Sequence, residues 1–200
     1  MYINNQILQF KISLLYTNPE IWRRIQVPRK YTFWDLRVAI QDSMGWLDCH
    51  LHQFILKKPH GKKTVLVGIP DPDNFDGNQK ILPGWDVPLS SYLTEPGMVI
   101  GYEYDFGDSW THEILLENIG IKEKRIKYPK CIAGKCACPP EDCGGVPGFE
   151  NLIETIKDAK NPDYQDTMQW LGGMYIPEDF ESSKVEFDNP KKRLKEAFSD

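Results

Sequence analysis

Apolar and polar positions alternate through Ile7-Leu-Gln-Phe-Lys-Ile-Ser-Leu-Leu15, a run rich in β-forming side chains that predicts a strand. After a turn at Tyr16-Thr-Asn-Pro19, residues 21–27 predict a second strand, hairpinned to the first and ended by Pro28. Period two puts Ile21, Arg23, Ile25 and Val27 on one face and Trp22, Arg24 and Gln26 on the other. The pattern then changes period. Phe33, Leu36, Ile40 and Met44 recur at spacings of three and four, the stripe of an amphipathic helix. Thr32 with Asp35 forms a capping box at its start, and Gly45 stands where a left-handed C-terminal cap would end it.

Further strands are predicted over 50–56 and 64–69, joined by a basic turn at 57–63. Residues 70–88, rich in Pro, Gly and Asp, predict an irregular surface excursion. Asp71, Asp73 and Asp76-Gly77 superficially suggest a calcium loop, but counted from Asp71 the fifth position is Phe75 and the twelfth Leu82, which excludes it. A short helix or turn follows at 89–95, then a hairpin of 98–106 with 110–116 around Gly107-Asp108-Ser109. The cysteine- and proline-rich segment 128–148 predicts loop, and residues 148–158, 164–171 and 190–198 predict helices. This order predicts a single α+β domain over residues 1–200, with a largely antiparallel sheet starting β-β-α-β. Its core covers about residues 7–158, and 159–200 form a helical C-terminal extension.

The hairpin leaves one question open. Met98, Ile100, Tyr102, Tyr104 and Phe106 share a face, opposite Val99, Gly101, Glu103 and Asp105. A two-residue loop at Gly107-Asp108 sets Glu103 opposite His112, a carboxylate–histidine pair suited to metal or proton chemistry. A three-residue loop instead gathers Trp110, His112, Ile114 and Leu116 with the aromatic face, which hydrophobic matching favours. His112 would then be a half-buried residue hydrogen-bonded to a tyrosine.

Composition narrows the class. Aromatic residues make up 12% of the 200, enough side-chain volume for a sizeable core, so disorder is excluded as the main state. No apolar run approaches the ~20 residues that span a bilayer. The first residues lack a basic region followed by an apolar one, so the expectation is a soluble cytoplasmic protein without a membrane partner. The net charge of −5 argues against a general nucleic-acid coat. That average is uneven: residues 1–60 carry 8 basic and 4 acidic side chains, residues 61–120 carry 3 and 10, and residues 121–200 carry 13 and 15. The middle third is therefore an acidic belt, a solvated surface or an attractor of cations.

Three constellations carry candidate chemistry. His50 and His52, two apart on one face of a predicted strand, present two imidazoles. With His112 and acids such as Glu103, Asp105 and Asp108 they would make a site for a divalent metal such as zinc, or equally three half-buried histidines. Of five cysteines, four lie in Cys131-Ile-Ala-Gly-Lys-Cys136-Ala-Cys138-Pro-Pro-Glu-Asp-Cys143; an odd count argues against a disulfide framework, and the spacing lacks the usual zinc knuckle. Trp22-Arg23-Arg24 is a candidate nucleic-acid contact, against the alternative of a strand whose arginines pair with acids. Asp105-Phe106-Gly107 matches the kinase magnesium motif by letters only, since no catalytic loop or Gly-rich loop accompanies it.

Several segments together resemble the plasmid Ri ORF-three-like family, some of whose members are labelled as passenger or TnpR-type proteins of transposable elements. They are Ile21-Trp-Arg-Arg-Ile25, Met44-Gly-Trp46, His50-Leu-His-Gln-Phe54, Tyr104-Asp-Phe-Gly-Asp-Ser-Trp110 with His112, Tyr128-Pro129 with Cys131, and Cys138-Pro-Pro-Glu-Asp-Cys-Gly-Gly145. The resemblance implies an α+β domain and brings no established activity. It leaves Cys131, Cys138 and Cys143 as the family-like cysteines for an alternative structural metal site, Cys136 being an addition. The two functional expectations are an accessory or interaction protein, with a protein or mobile-DNA partner, and a metal-dependent enzyme using the His/acid set.

Overall fold

Strict alternation of buried and half-buried residues runs through β1 (Gln6–Leu14) and β2 (Ile21–Pro28), which pair antiparallel with Phe10 opposite Ile25 and Ile12 opposite Arg23. A computed structural model describes residues 5–57, 64–70 and 80–199. In it these strands join β3 (His52–Lys57), β4 (Thr64–Gly68), β5 (Ile81–Pro83), β6 (Val99–Tyr104), β7 (Trp110–Ile121) and β8 (Lys130–Lys135) in one eight-stranded sheet. The order is β5-β4-β3-β6-β7-β1-β2-β8, antiparallel throughout except for the β4–β5 pair. The fold is thus the expected single-domain α+β arrangement.

One face of the sheet carries Leu8, Phe10, Ile12, Ile25, Phe54, Tyr102, Tyr104, Trp110 and Ile114, all essentially inaccessible. Burying each of the large apolar side chains contributes about 1.5–3 kcal/mol. Helix α1 (Phe33–Met44) covers this face. Its Thr32 and Asp35 form the capping box and Gly45 closes it at φ 94°, as the sequence predicts. The opposite face is polar. There Glu117 is the extra residue of a β-bulge between β1 and β7, and it accepts from Arg24 and Gln9.

Three sequence expectations change. The excursion at 70–88 contains β5, a short parallel strand that the Pro/Gly pattern hides. The aspartates of the excluded calcium loop, and residues 58–63 of the basic turn, lie outside the described residues. The cysteine-rich segment is not all loop: Lys130–Lys135 pairs with β2 as the sheet edge, and α2 (Gly145–Lys157) begins within it. The β6–β7 connection spans Asp105–Ser109 and pairs Tyr104 with Trp110 and Tyr102 with His112. The loop is longer than either alternative weighed above. It keeps the parity of the three-residue one, because only that parity gathers the large rings under α1.

Beyond the sheet, α2 and α3 (Tyr164–Trp170) pack together, and α4 (Pro190–Ala197) packs on α1.

Candidate metal centre

The chain leaves α1 through Trp46-Leu-Asp-Cys-His50 before entering β3. His50 therefore lies in a loop, and only His52 joins Phe54 and Leu56 on the buried face of the strand. The expected side-by-side pair of imidazoles does not form, because β3 starts two residues later than the alternation suggests.

Around His50 three acids converge. Its Nε2 lies 3.1 Å from Asp142 Oδ1, 3.7 Å from Asp105 Oδ2 and 3.9 Å from Glu141 Oε2. Cys49, His50 and Glu141 offer ligand atoms within 4.8 Å of one another, and so do His50, Asp105 and Asp142. Among the described residues these are the two such groups, and they share His50.

Two of the three carboxylates are aimed by their second oxygen. Glu141 Oε1 accepts the Leu47 N–H at 2.8 Å and the Tyr104 hydroxyl at 3.0 Å. Asp105 Oδ1 accepts the Gly107 N–H at 2.9 Å. The remaining oxygens, Glu141 Oε2 and Asp105 Oδ2, are the ones directed at His50. Glu141 Oε2 and His50 Nε2 are both buried; Glu141 Oε2 accepts no hydrogen bond, and the nearest group to His50 Nε2 is Asp142 Oδ1 at 3.1 Å. Three carboxylates around one imidazole nitrogen concentrate negative charge at a point that a cation would neutralise. Asp105 and Asp142 both adopt left-handed backbone, at φ 57°, a conformation uncommon outside glycine and tolerated best by Asp and Asn. Such residues concentrate at functional sites.

The loop is fixed from several sides. The Cys49 N–H donates to Tyr104 Oη at 3.2 Å, the Asp105 N–H donates to Leu51 O at 2.9 Å, and Trp46 Nε1 donates to Pro139 O at 2.9 Å. Burial and the adjacent Glu141 carboxylate push the Tyr104 hydroxyl up, which keeps it protonated as a donor. Desolvation and Glu141 also push the Cys49 thiol up, making it the poorest anionic ligand of the set. Asp142 stands at the solvent rim, while Asp105 and Glu141 are nearly enclosed. A groove of about 710 Å³ opens beside the acids, lined in part by Trp46, Leu47, Pro139, Glu141, Asp142 and Trp170.

The other candidate ligands go elsewhere. His52 and His112 sit in the aromatic core, His52 against Trp34 and Tyr102, His112 against Trp46 and Tyr102. Burial pushes His112 down to about 4 and His52 well below the usual histidine range, so both are neutral rings. His112 is fully buried, not half-buried. Glu103 faces away from the centre and accepts from Gln53 Nε2 at 2.7 Å. Asp108 Oδ2 accepts the Gly144 N–H at 3.1 Å, tying the hairpin loop to the turn before α2. Cys131, Cys138 and Cys143 form no ligand group among the described residues, and all five thiols are free. Burial raises Cys131, Cys138 and Cys143, the last to about 12. The alternative cysteine metal site is therefore not assembled.

The arginine pair is also committed. Arg23 is buried, donates to the carbonyls of Ser43, Trp22 and Lys135, and stacks on Phe180 at 3.8 Å. Arg24 makes a two-pronged pair with Glu117, both contacts at 2.7 Å, and lies over the Trp22 ring. Neither guanidinium is free for a phosphate.

The cluster joins His50 and Asp105, both candidates from the sequence, with Glu141, Asp142 and Cys49, which the sequence did not single out as ligands. Glu141 and Asp142 stand between two cysteines in Cys138-Pro-Pro-Glu-Asp-Cys143.

Comparisons with known proteins agree with the fold. A family model described as plasmid pRiA4b ORF-3-like protein matches residues 6–184. Uncharacterized protein y4hQ of Sinorhizobium fredii (strain NBRC 101917 / NGR234) is 28% identical over 189 residues, covering 94% of this chain and 90% of that protein. The crystal structure of a protein of unknown function, MM3350 from Methanosarcina mazei Go1, superposes with a TM-score of 0.83 at 38% identity. That match covers 94% of this chain and all of the other. Among the described residues no helix is long and apolar enough to cross a membrane.

Proposed function

The chain belongs to the plasmid pRiA4b ORF-3-like family, and on that premise we propose that it is a divalent-metal-binding protein. His50 Nε2 and the Glu141, Asp105 and Asp142 carboxylates hold the ion, and Cys49 stands at the rim. The observation that carries this reading is the convergence of Asp142 Oδ1, Asp105 Oδ2 and Glu141 Oε2 on His50 Nε2, at 3.1, 3.7 and 3.9 Å. Three carboxylates around one imidazole repel each other, and a dication offsets that repulsion. One imidazole with oxygen ligands suits zinc, manganese or ferrous iron better than calcium or cuprous ions.

The reading extends to chemistry. An ion held there would adjoin the groove and the exposed Asp142 side chain. The chemistry it would supply is activation of water as a nucleophile near neutral pH. Hydrolysis of a substrate seated along Trp46 and Trp170 is the activity this arrangement supports. Five free thiols suit a reducing, cytoplasmic setting.

The test is calorimetric titration of metal-stripped protein with zinc and with manganese. One ion per chain is expected, with binding lost in His50→Ala and retained in Cys138→Ser. Wild-type protein that takes up neither metal, or a folded His50→Ala variant that binds as wild type does, refutes the proposal.

A further inference from the structure

We propose that Arg193, on the C-terminal helix, is a positioning residue for the metal centre, so that docking of α4 sets how tightly the site holds its ion; this rests on the metal reading above. Asp48 stands two residues before His50. Asp48 has left-handed backbone at φ 65° and makes the reversal that carries the chain from α1 toward β3. A non-glycine residue keeps that conformation only where its surroundings hold it.

Two guanidiniums do the holding. Arg37 of α1 approaches Asp48 Oδ1 at 2.6 Å, and Arg193 of α4 approaches Asp48 Oδ2 at 3.2 Å. The Arg37 and Asp48 side chains are both 5% exposed. Arg193 also pairs with Asp42 at 2.8 Å and with Asp188, while the Asp188 N–H donates to Asp42 Oδ2 at 2.9 Å. The helix that carries Arg193 is itself anchored. Trp34 Nε1 donates to Pro190 O at 3.0 Å, and Phe198 packs on Trp34 and Trp85.

The loop 46–51 is therefore gripped at two ends. On one side Glu141, Tyr104 and Asp105 hold the backbone of Leu47, Cys49 and Leu51. On the other side the Arg37–Asp48–Arg193 triad holds the reversal. Cys49 and His50 lie between the two grips. Removing Arg193 leaves Asp48 with Arg37 alone, so the loop loosens without losing its buried pair. Groups that orient metal ligands from outside the coordination sphere typically alter affinity by 10–100-fold.

Two measurements test this with Arg193→Ala and Arg193→Lys, each checked for folding by thermal melting. In metal-free protein, hydrogen exchange at the Cys49 amide should speed up at least tenfold in Arg193→Ala and be partly restored in Arg193→Lys. In cobalt-loaded protein, Arg193→Ala should bind at least tenfold more weakly with an altered visible spectrum, and Arg193→Lys should recover part of both. A folded Arg193→Ala variant with wild-type exchange and cobalt affinity within twofold overturns the inference. Should Arg193→Ala fail to fold, Arg193→Gln, which removes the charge and keeps much of the side-chain stem, must produce the same two changes or the inference fails. Wild-type protein that binds no cobalt refutes the metal reading instead, and the exchange measurement still decides whether Arg193 holds the loop.

Discussion

His50 Nε2 and Glu141 Oε2 face each other across 3.9 Å, both buried, although the residues stand far apart in the chain. The Tyr104 hydroxyl and the Leu47 N–H occupy the other oxygen of Glu141, which orients the free one toward His50. A carboxylate held in this way by its second oxygen is what outer contacts do for a ligand set.

Glu141→Gln should separate the two oxygens. Its amide oxygen can still accept from Tyr104 and Leu47, so the melting temperature should stay within a few degrees of wild type. Zinc affinity should fall at least tenfold in a chelator competition titration.

Tyr104→Phe removes the donor and keeps the ring stacked on Trp46 at 4.9 Å. Loss of this charge-assisted bond should cost about 1–3 kcal/mol by denaturant titration, and zinc affinity should fall by about 10–100-fold.

Acid should destabilise the fold through His112. Its folded value is held down to about 4 by burial, against 6.5 for a free histidine. Above pH 6.5 neither state binds the proton, so this group leaves stability unaffected. Between 6.5 and 4 the unfolded chain binds it and the folded chain does not, and stability falls by up to about 1.4 kcal/mol per pH unit. Below 4 the contribution levels off. Buried His52 acts in the same direction. Urea titrations across this range should show the loss, and His112→Phe should shallow the slope.

Arg23→Ala should be far more damaging than Arg24→Ala. Arg23 satisfies three carbonyls from a buried position, and its removal should cost about 3 kcal/mol or more. Arg24 lies on the more open face, and loss of its pair with Glu117 should cost about 1 kcal/mol or less. Chemical denaturation of the two variants checks the order.

Thr32→Ala removes one half of the capping box, where Asp35 accepts from the Thr32 N–H at 3.0 Å and its own N–H donates to Thr32 Oγ1 at 3.2 Å. A loss of about 1 kcal/mol is expected, which for a chain of this size lowers the melting temperature by about 2–4 °C in calorimetry.

Local signals were the legible ones. The parity of Ile21, Arg23, Ile25 and Val27 appears in the structure as read, because a strand with one buried face admits a single parity. The limits of α1 were legible because Thr32, Asp35 and Gly45 act within one turn of the helix ends. His50 was legible as a ligand candidate together with Asp105, whereas Glu141 and Asp142 beside it were not, and His52 and His112 go to the aromatic core. Periodicity cannot tell the last loop residue from the first strand residue, so it could not show that His50 stands outside β3.

What the sequence determined by itself is the element order apart from β5 and β8, the buried faces and the caps, since each depends on residues within a few positions of one another. What only the tertiary structure decided is the site. His50, Asp105, Glu141 and Asp142 come from three loops at one end of the sheet, and Arg193 reaches the same loop from the C-terminal helix. Apart from the neighbours Glu141 and Asp142, no residue in that set has a periodic or short-range relation to the others. Their meeting follows from strand order and loop packing, which depend on contacts summed over the whole core, and a side chain's candidacy as a ligand is settled by which distant oxygen it faces.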